Sequence, residues 1–156
     1  MAEFAFNPVQ LVEPNQNIIL DTVIPCNKGY VFHRDQSGIV ILRGIVNCPQ
    51  ACFARYQVTF NGNIAIPSEG TPGPISVSLA IDGEPVQTSR AIVTPADVAT
   101  DPPTTENFFN VTSTAIINVP RGCCFTVAVE NTSPVVEGMA QAILVQNANL
   151  TVSRIA

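Results

Sequence analysis

Apolar residues recur at every second position along much of this chain, and no window sustains the 3.6-residue spacing of a helix. The pattern is clearest from Asn110 to Ala156. Val111, Ala115, Ile117 and Val119 fall near one face of a period-2 run, and Pro120-Arg121-Gly122 then breaks it. The next run sets Cys123, Phe125, Val127 and Val129 on one side, with Cys124, Thr126, Ala128 and Glu130 on the other. Alternation of this kind marks strands with one buried face. Leu150 and Val152 repeat it, which predicts a last strand tied into the middle of a sheet.

The remainder reads the same way. Residues 1–14 mix Phe4, Phe6, Val9 and Leu11 with two prolines and predict an N-terminal extended arm ahead of a single domain at 15–156. Asn17–Ile24, Tyr30–His33 and Ile39–Arg43 predict strands, with turns at Pro25–Gly29 and Asp35–Gly38. Arg55–Phe60 alternates with Tyr56, Val58 and Phe60 inward. Asn61-Gly62 is a strong hairpin dipeptide, although Asn63–Ile66 equally continues the strand past a bulge. Pro67–Pro74 cannot be regular structure. Ile75–Ile81 alternates again, and Asp82-Gly83 predicts a hairpin into Pro85–Val93. Thr94–Glu106 is the longest break, before Phe108-Phe109 re-enter the sheet system. Thirteen prolines and nine glycines punctuate eight to ten short strands. The expected fold is all-β, a two-sheet antiparallel jelly-roll sandwich. The Cys…Trp…Cys signature of an immunoglobulin core is missing, because the chain has no tryptophan.

Composition adds one point. Charged residues make up 12% of the 156 positions, about half the usual 25%. There is one lysine, Lys28, against six arginines. A surface so poor in charge predicts cover by other subunits; a Thr/Asn/Ser-rich secreted or viral β protein is the alternative. The net charge of −5 and the lack of a basic stripe argue against nucleic-acid binding. No apolar run approaches the roughly 20 residues of a membrane span. Glu3 stands where a secretory signal wants positive charge, which predicts synthesis in a cytoplasm without general export. On that basis Cys26, Cys48, Cys52, Cys123 and Cys124 are expected as reduced, buried thiols. The CxxxC spacing of Cys48 and Cys52 leaves a local disulfide or half a metal site open.

Candidate chemistry is sparse. His33 is the only histidine and reads as a surface or interface residue, with no nucleophile beside it. Cys26, His33, Cys48 and Cys52 suffice in number for zinc but match no standard spacing. Asp82 and Glu84 flank a glycine and read as turn residues before calcium ligands. Asp97, Asp101 and Glu106 predict a solvated rim. The glycosylation-like triplets at Asn110, Asn131 and Asn149 suit strand surfaces in a protein that is not secreted. No catalytic signature or cofactor motif is present, so no enzyme is expected. Arg43, Arg55 and Arg154 lie among apolar strand residues, and their forked hydrogen bonding suits subunit interfaces.

Three segments carry a family likeness. VSLAIDGEPV (77–86), NVTSTAIINVPRGCCFTVAVENTS (110–133) and NLTVSRIA (149–156) resemble the hairpin, paired strands and terminal strand of the tumour-necrosis-factor-like jelly roll, shared with complement and collagen head domains. Members are typically trimers packed along a three-fold axis. The resemblance implies a homotrimer, with Tyr56, Phe125, Leu150, Val152 and Arg154 proposed at the interface. The stretches PCNKGYVFHR, ARYQVTFNGNIAIP, VPRGCCFTVAVENTS and VQNANLTVSR also resemble small β proteins of gut Firmicutes and their phages. That likeness implies a surface-displayed trimer. The expectation is a capsid decoration or head-fibre protein on a virion, made in the bacterial host cytoplasm. Phe4, Phe6, Val9 and Leu11 would then anchor it to the major capsid protein. The alternatives are a carbohydrate- or receptor-binding head, meeting a host-surface glycan through Pro67–Pro74 and Thr94–Glu106, or a spore or cell-surface coat protein. No collagen-like Gly-X-Y tract accompanies the head, which weighs against the spore.

Overall fold

Alternation in Phe53–Ala65 is regular enough to make one strand of 13 residues, with every second side chain buried. That strand and its two long neighbours set the frame. In the computed structural model, which describes residues 1–24 and 29–156, fourteen strands are found among the described residues. They are β1 (Ala2–Phe6), β2 (Gln10–Val12), β3 (Thr22–Ile24), β4 (Val31–His33), β5 (Val40–Arg43), β6 (Phe53–Ala65), β7 (Ile75–Ile81), β8 (Glu84–Pro85), β9 (Ala91–Val93), β10 (Phe109–Pro120), β11 (Cys124–Asn131), β12 (Val135–Val136), β13 (Met139–Ala140) and β14 (Ile143–Arg154). A 3-10 turn, Gln87–Ser89, precedes β9. The predicted turn at Pro25–Gly29, with Cys26, falls mostly outside the described residues.

Two antiparallel sheets face each other. The front sheet runs β10-β6-β14-β1-β3, and β2 also pairs with β14. The back sheet runs β4-β5-β11-β7-β8, with β9 also on β7. β12 and β13 form a separate small hairpin. The last strand is central, as its apolar alternation predicts, lying between β6 and β1.

Residues 1–14 are not a free arm. β1 pairs with Phe6↔Ala148 through Ala2↔Val152, and β2 pairs with Ile143–Val145, so the two lie end to end along β14. The register of β14 against β6 shifts between Gln146 and Asn149, level with the break between β1 and β2. Asn17–Ile24 is strand only at its end, although Ile18 and Leu20 are fully buried. The Asp82-Gly83 hairpin forms with positive φ at both residues, the geometry that a two-residue turn between twisted strands requires.

The Asn61-Gly62 pair makes no turn. β6 runs straight through it, with Asn61 opposite Thr112 and Gly62 opposite Val111. Neighbours on both sides hold the strand extended. A Cβ on Gly62 would lie 2.8 Å from the tip of the Phe60 ring, so the glycine serves core packing here. The core fills the space between the sheets. Tyr56, Val58, Phe60 and Ile64 meet Leu150 and Val152 from the front, with Val127, Val129, Val77, Leu79 and Leu42 from the back. The Tyr56 hydroxyl crosses between sheets and donates to the Arg43 carbonyl at 2.5 Å.

Candidate interaction surfaces

The front sheet presents its second face to the outside, and this face is built from the odd-numbered positions of β6. Phe53, Arg55, Gln57, Thr59, Asn61 and Asn63 alternate with the buried set. The register brings Pro120, Asn118, Ile116, Thr114, Thr112 and Asn110 of β10 opposite them in that order. On the other flank, Thr59 meets Thr151, Asn61 meets Asn149 and Gln57 meets Ser153 of β14. Glu3 and Ala5 of β1 continue the rows.

This face is nearly uncharged. Glu3 and Arg55 are its only charged side chains on β1, β6, β10 and β14. Both are engaged: Asn149 Nδ2 donates to the Glu3 carboxylate, and Arg55 Nε donates to Asn118 Oδ1 at 2.9 Å. The rest is a lattice of amides and hydroxyls. Asn110 Nδ2 donates to Asn61 Oδ1 (2.7 Å) and Asn63 Oδ1 (3.1 Å), and the Thr59 and Thr114 hydroxyls lie 3.1 Å apart. Ile116 stands 55% exposed in the middle. At about 4.8 Å between strands and 3.4 Å per residue, the 48 residues of its six strands give a footprint of roughly 800 Å². A stable interface needs about 800 Å² per partner.

The residues proposed from sequence for a trimer contact do not lie on this face. Tyr56, Leu150 and Val152 are fully buried between this chain's own sheets. Phe125 packs, half-buried, against the same core from β11. Arg154 shares the inward parity of Val152; its guanidinium lies 4.2 Å over the Tyr30 ring, and its Nε donates to the Ala156 carbonyl. The correction has one cause. Alternation separates two faces without saying which is interior, and the apolar face was consumed by the core. The opposite parity carries the exposed face, whose signal in the sequence was strand-long polarity with almost no charge.

The anchoring residues are likewise redistributed. Phe4 is buried and stacks on His33, with ring centroids 5.2 Å apart. Phe6 packs half-buried on the main core, and Val9 packs on a small cluster of Ala65, Ala99 and Leu144. Leu11 alone is exposed, at 51%. His33 Nε2 donates to the Ser37 carbonyl at 2.8 Å. Among the described residues, no three His, Cys, Asp or Glu side chains converge on a metal-sized site. Asp82 Oδ1 instead accepts from the backbone and hydroxyl of Thr126, which staples the hairpin to β11. Cys48, Cys52, Cys123 and Cys124 are exposed, against the expectation of buried thiols; the first three lie in connections between strands and Cys124 is the first residue of β11.

At the opposite end of the strands, an open pocket of about 390 Å³ lies between Pro67–Thr71, Glu13 and Val136–Ala142. Gln141 Oε1 accepts from Thr71 N at 2.8 Å, while Gln141 Nε2 is buried with no hydrogen-bond partner.

The globular domain of zebrafish complement 1qA superposes with a TM-score of 0.61, covering 99% of this chain and 96% of that one, at 12% identity. Eiger TNF from S. frugiperda gives 0.60, covering 100% and 92%, also at 12% identity. The chain has the tumour-necrosis-factor-like jelly-roll fold. No protein-family model matches the sequence, and no curated protein does. At such identities the likeness is one of fold, and the residues of the tumour-necrosis-factor-like front sheet must be read from this chain's own chemistry.

Proposed function

We propose that this chain is a non-enzymatic structural module that trimerises through the outer face of the front sheet. We further propose that the trimer decorates a phage capsid as a head-decoration or head-fibre protein. The observation that carries the assembly reading is the nearly neutral exposed face of β10, β6, β14 and β1. Charge is depleted at the centre of protein interfaces, and a lattice of hydroxyls and amides can exchange its water for a partner's matching groups. The fold supports the same reading, since trimers are typical of proteins built on it. The virion reading is supported by the likeness of four sequence stretches to phage-encoded β proteins. With Phe4 committed to the core, a capsid contact would rest on exposed groups such as Leu11.

Light scattering at micromolar concentration tests the assembly. The expected mass is that of three chains, and Ile116→Arg should reduce it to one while circular dichroism still shows a β protein. A monomeric native protein, or a trimer that tolerates both Ile116→Arg and Gln57→Arg, overturns the interface. Absence of the chain from purified virions overturns the capsid reading and leaves the trimer standing.

One observation favours a second reading, a glycan-binding head. Gln141 lies in the wall of the 390 Å³ pocket with its Nε2 buried and without a hydrogen-bond partner, and a small turn of the side chain would offer that donor to a sugar hydroxyl. Glycan-array binding that Gln141→Leu abolishes would support it; an array with no signal would remove it.

A further inference from the structure

Cysteine is among the residue types most often buried, yet Cys48, Cys52, Cys123 and Cys124 are all exposed. They come from two connections at the same end of the sandwich. Cys48 and Cys52 lie between β5 and β6, and Cys123 and Cys124 lie where the tight β10–β11 turn enters β11. The two connections are fastened together. Arg121 N donates to the Cys52 carbonyl at 2.9 Å, and Arg121 Nη1 donates to the Pro49 carbonyl at 2.9 Å. Gly44 N donates to the Cys123 carbonyl at 2.8 Å. So close an approach needs glycine: a Cβ at Gly44 would lie 1.9 Å from the Pro120 oxygen. The four thiols therefore share one braced rim. Cys123 and Cys124 also line a shallow depression of about 340 Å³ with Arg43, Gly44, Ile45 and Gly122.

None of the four is bonded to another within the chain. Adjacent Cα atoms sit about 3.8 Å apart, less than the roughly 4.4–6.8 Å that a relaxed disulfide spans. Cys123 and Cys124 therefore do not suit each other. Cys48 Sγ is turned toward Gln50 Oε1 at 3.7 Å. A partner thiol is most simply supplied by the same rim of another molecule, since an isologous contact sets like groups against like.

We propose that this rim is a covalent coupling site, at which thiols of one copy form disulfides with the rim thiols of a second copy of this chain. The oxidant is a small-molecule disulfide. A rim thiolate attacks one of its sulfurs and expels a small thiolate, leaving a mixed disulfide on the protein. A thiolate from the second copy then attacks the protein-side sulfur and expels the other small thiolate. Two protein thiols become one interchain disulfide, and the small disulfide is reduced to two thiols, which take up the two protons that the protein thiols gave up. The rim lies at the strand ends and the neutral face lies along the strands. Coupling therefore joins modules end to end without using the front sheet.

The test uses the full chain with glutathione disulfide at about pH 8, where free thiols are partly ionised. After alkylation, the products are read on a non-reducing denaturing gel and by mass mapping of linked peptides. The expected result is a covalent dimer that dithiothreitol collapses, with linked peptides drawn from Cys48, Cys52, Cys123 and Cys124. Replacing these four by serine should reduce the dimer about tenfold or more, while Cys26→Ser leaves it. Peptide mapping on the native protein does not depend on any variant folding. Glutathionylated monomers alone, intrachain bonds alone, or a dimer linked only through Cys26 would each overturn the proposal.

Discussion

The two sheets of this sandwich treat their outer faces differently. On the back sheet, Ser76, Ser78, Ala80, Ala128 and Glu130 point away from the core and are nonetheless buried. Arg90 and Thr132 close over part of that face. Arg90 Nε donates to Ser76 Oγ at 3.0 Å, Arg90 Nη2 donates to the Thr132 carbonyl at 3.1 Å, and the Ser78 and Thr132 hydroxyls lie 2.9 Å apart. On the front sheet, Gln57, Asn61, Thr112, Thr114, Ile116 and Asn118 are exposed. A sheet whose outside is sealed by its own chain has satisfied its polar groups internally. A sheet left bare, long and nearly neutral has its remaining affinity available for a partner.

That contrast can be broken in order of effect. The largest difference lies across one sheet, between adjacent residues of β14. Leu150→Ala should cost about 2–5 kcal/mol in urea unfolding, the range for emptying a packed core site. Thr151→Ala should change the isolated subunit by no more than about 0.5 kcal/mol. Equal costs would mean that the front sheet has no bare face. Next comes the sealed side. Arg90→Ala removes one donor each from Ser76 Oγ and the Thr132 carbonyl, which keep their bond to each other, and should cost about 1–2 kcal/mol. A loss below about 0.5 kcal/mol would show that this network holds nothing in place.

The smallest effect is a pH dependence on the back sheet. Burial, and after it the charge of nearby Glu84, hold the Glu130 carboxyl above the ordinary carboxylate range. The folded state therefore keeps this proton longer than the unfolded chain does. The favourable contribution is fully present below the ordinary glutamate value and is lost as pH rises through the raised one. Glu130→Gln removes the titration. It should raise the melting temperature at neutral pH, and the gain should vanish below about pH 4. A gain that persists in acid would assign the effect to packing rather than charge.

Much of the fold was legible because strands write a period of two. Val111 through Val119, Val127 and Val129, and Leu150 and Val152 all occupy the buried faces that their alternation predicts. Asp82-Gly83 turned where its dipeptide said it would. Asn61-Gly62 carried an equally strong turn signal and did not turn, because β10 and β14 pair with β6 on either side and Phe60 needs the space over Gly62. Local propensity is a weak vote against a ladder on both edges.

The candidate surface was less legible than the fold. Apolar residues were the natural choice for a seam between subunits, but Tyr56, Leu150 and Val152 were already spent on the interior. The same reasoning misjudged Phe4, which closes the core against His33. The four described cysteines went the other way, expected inside by residue type and found exposed in connections or, for Cys124, at the first residue of a strand.

The sequence by itself determined that this chain is all-β, where its long strands run, and that its surface is unusually poor in charge. These follow from spacing and composition, which survive any arrangement in space. Only the tertiary structure decided which parity of each strand faces inward, which sheet is sealed and which is bare, and that four thiols meet at one end. Those outcomes depend on pairing between residues as distant as Glu3 and Thr151, and no local pattern records such a choice.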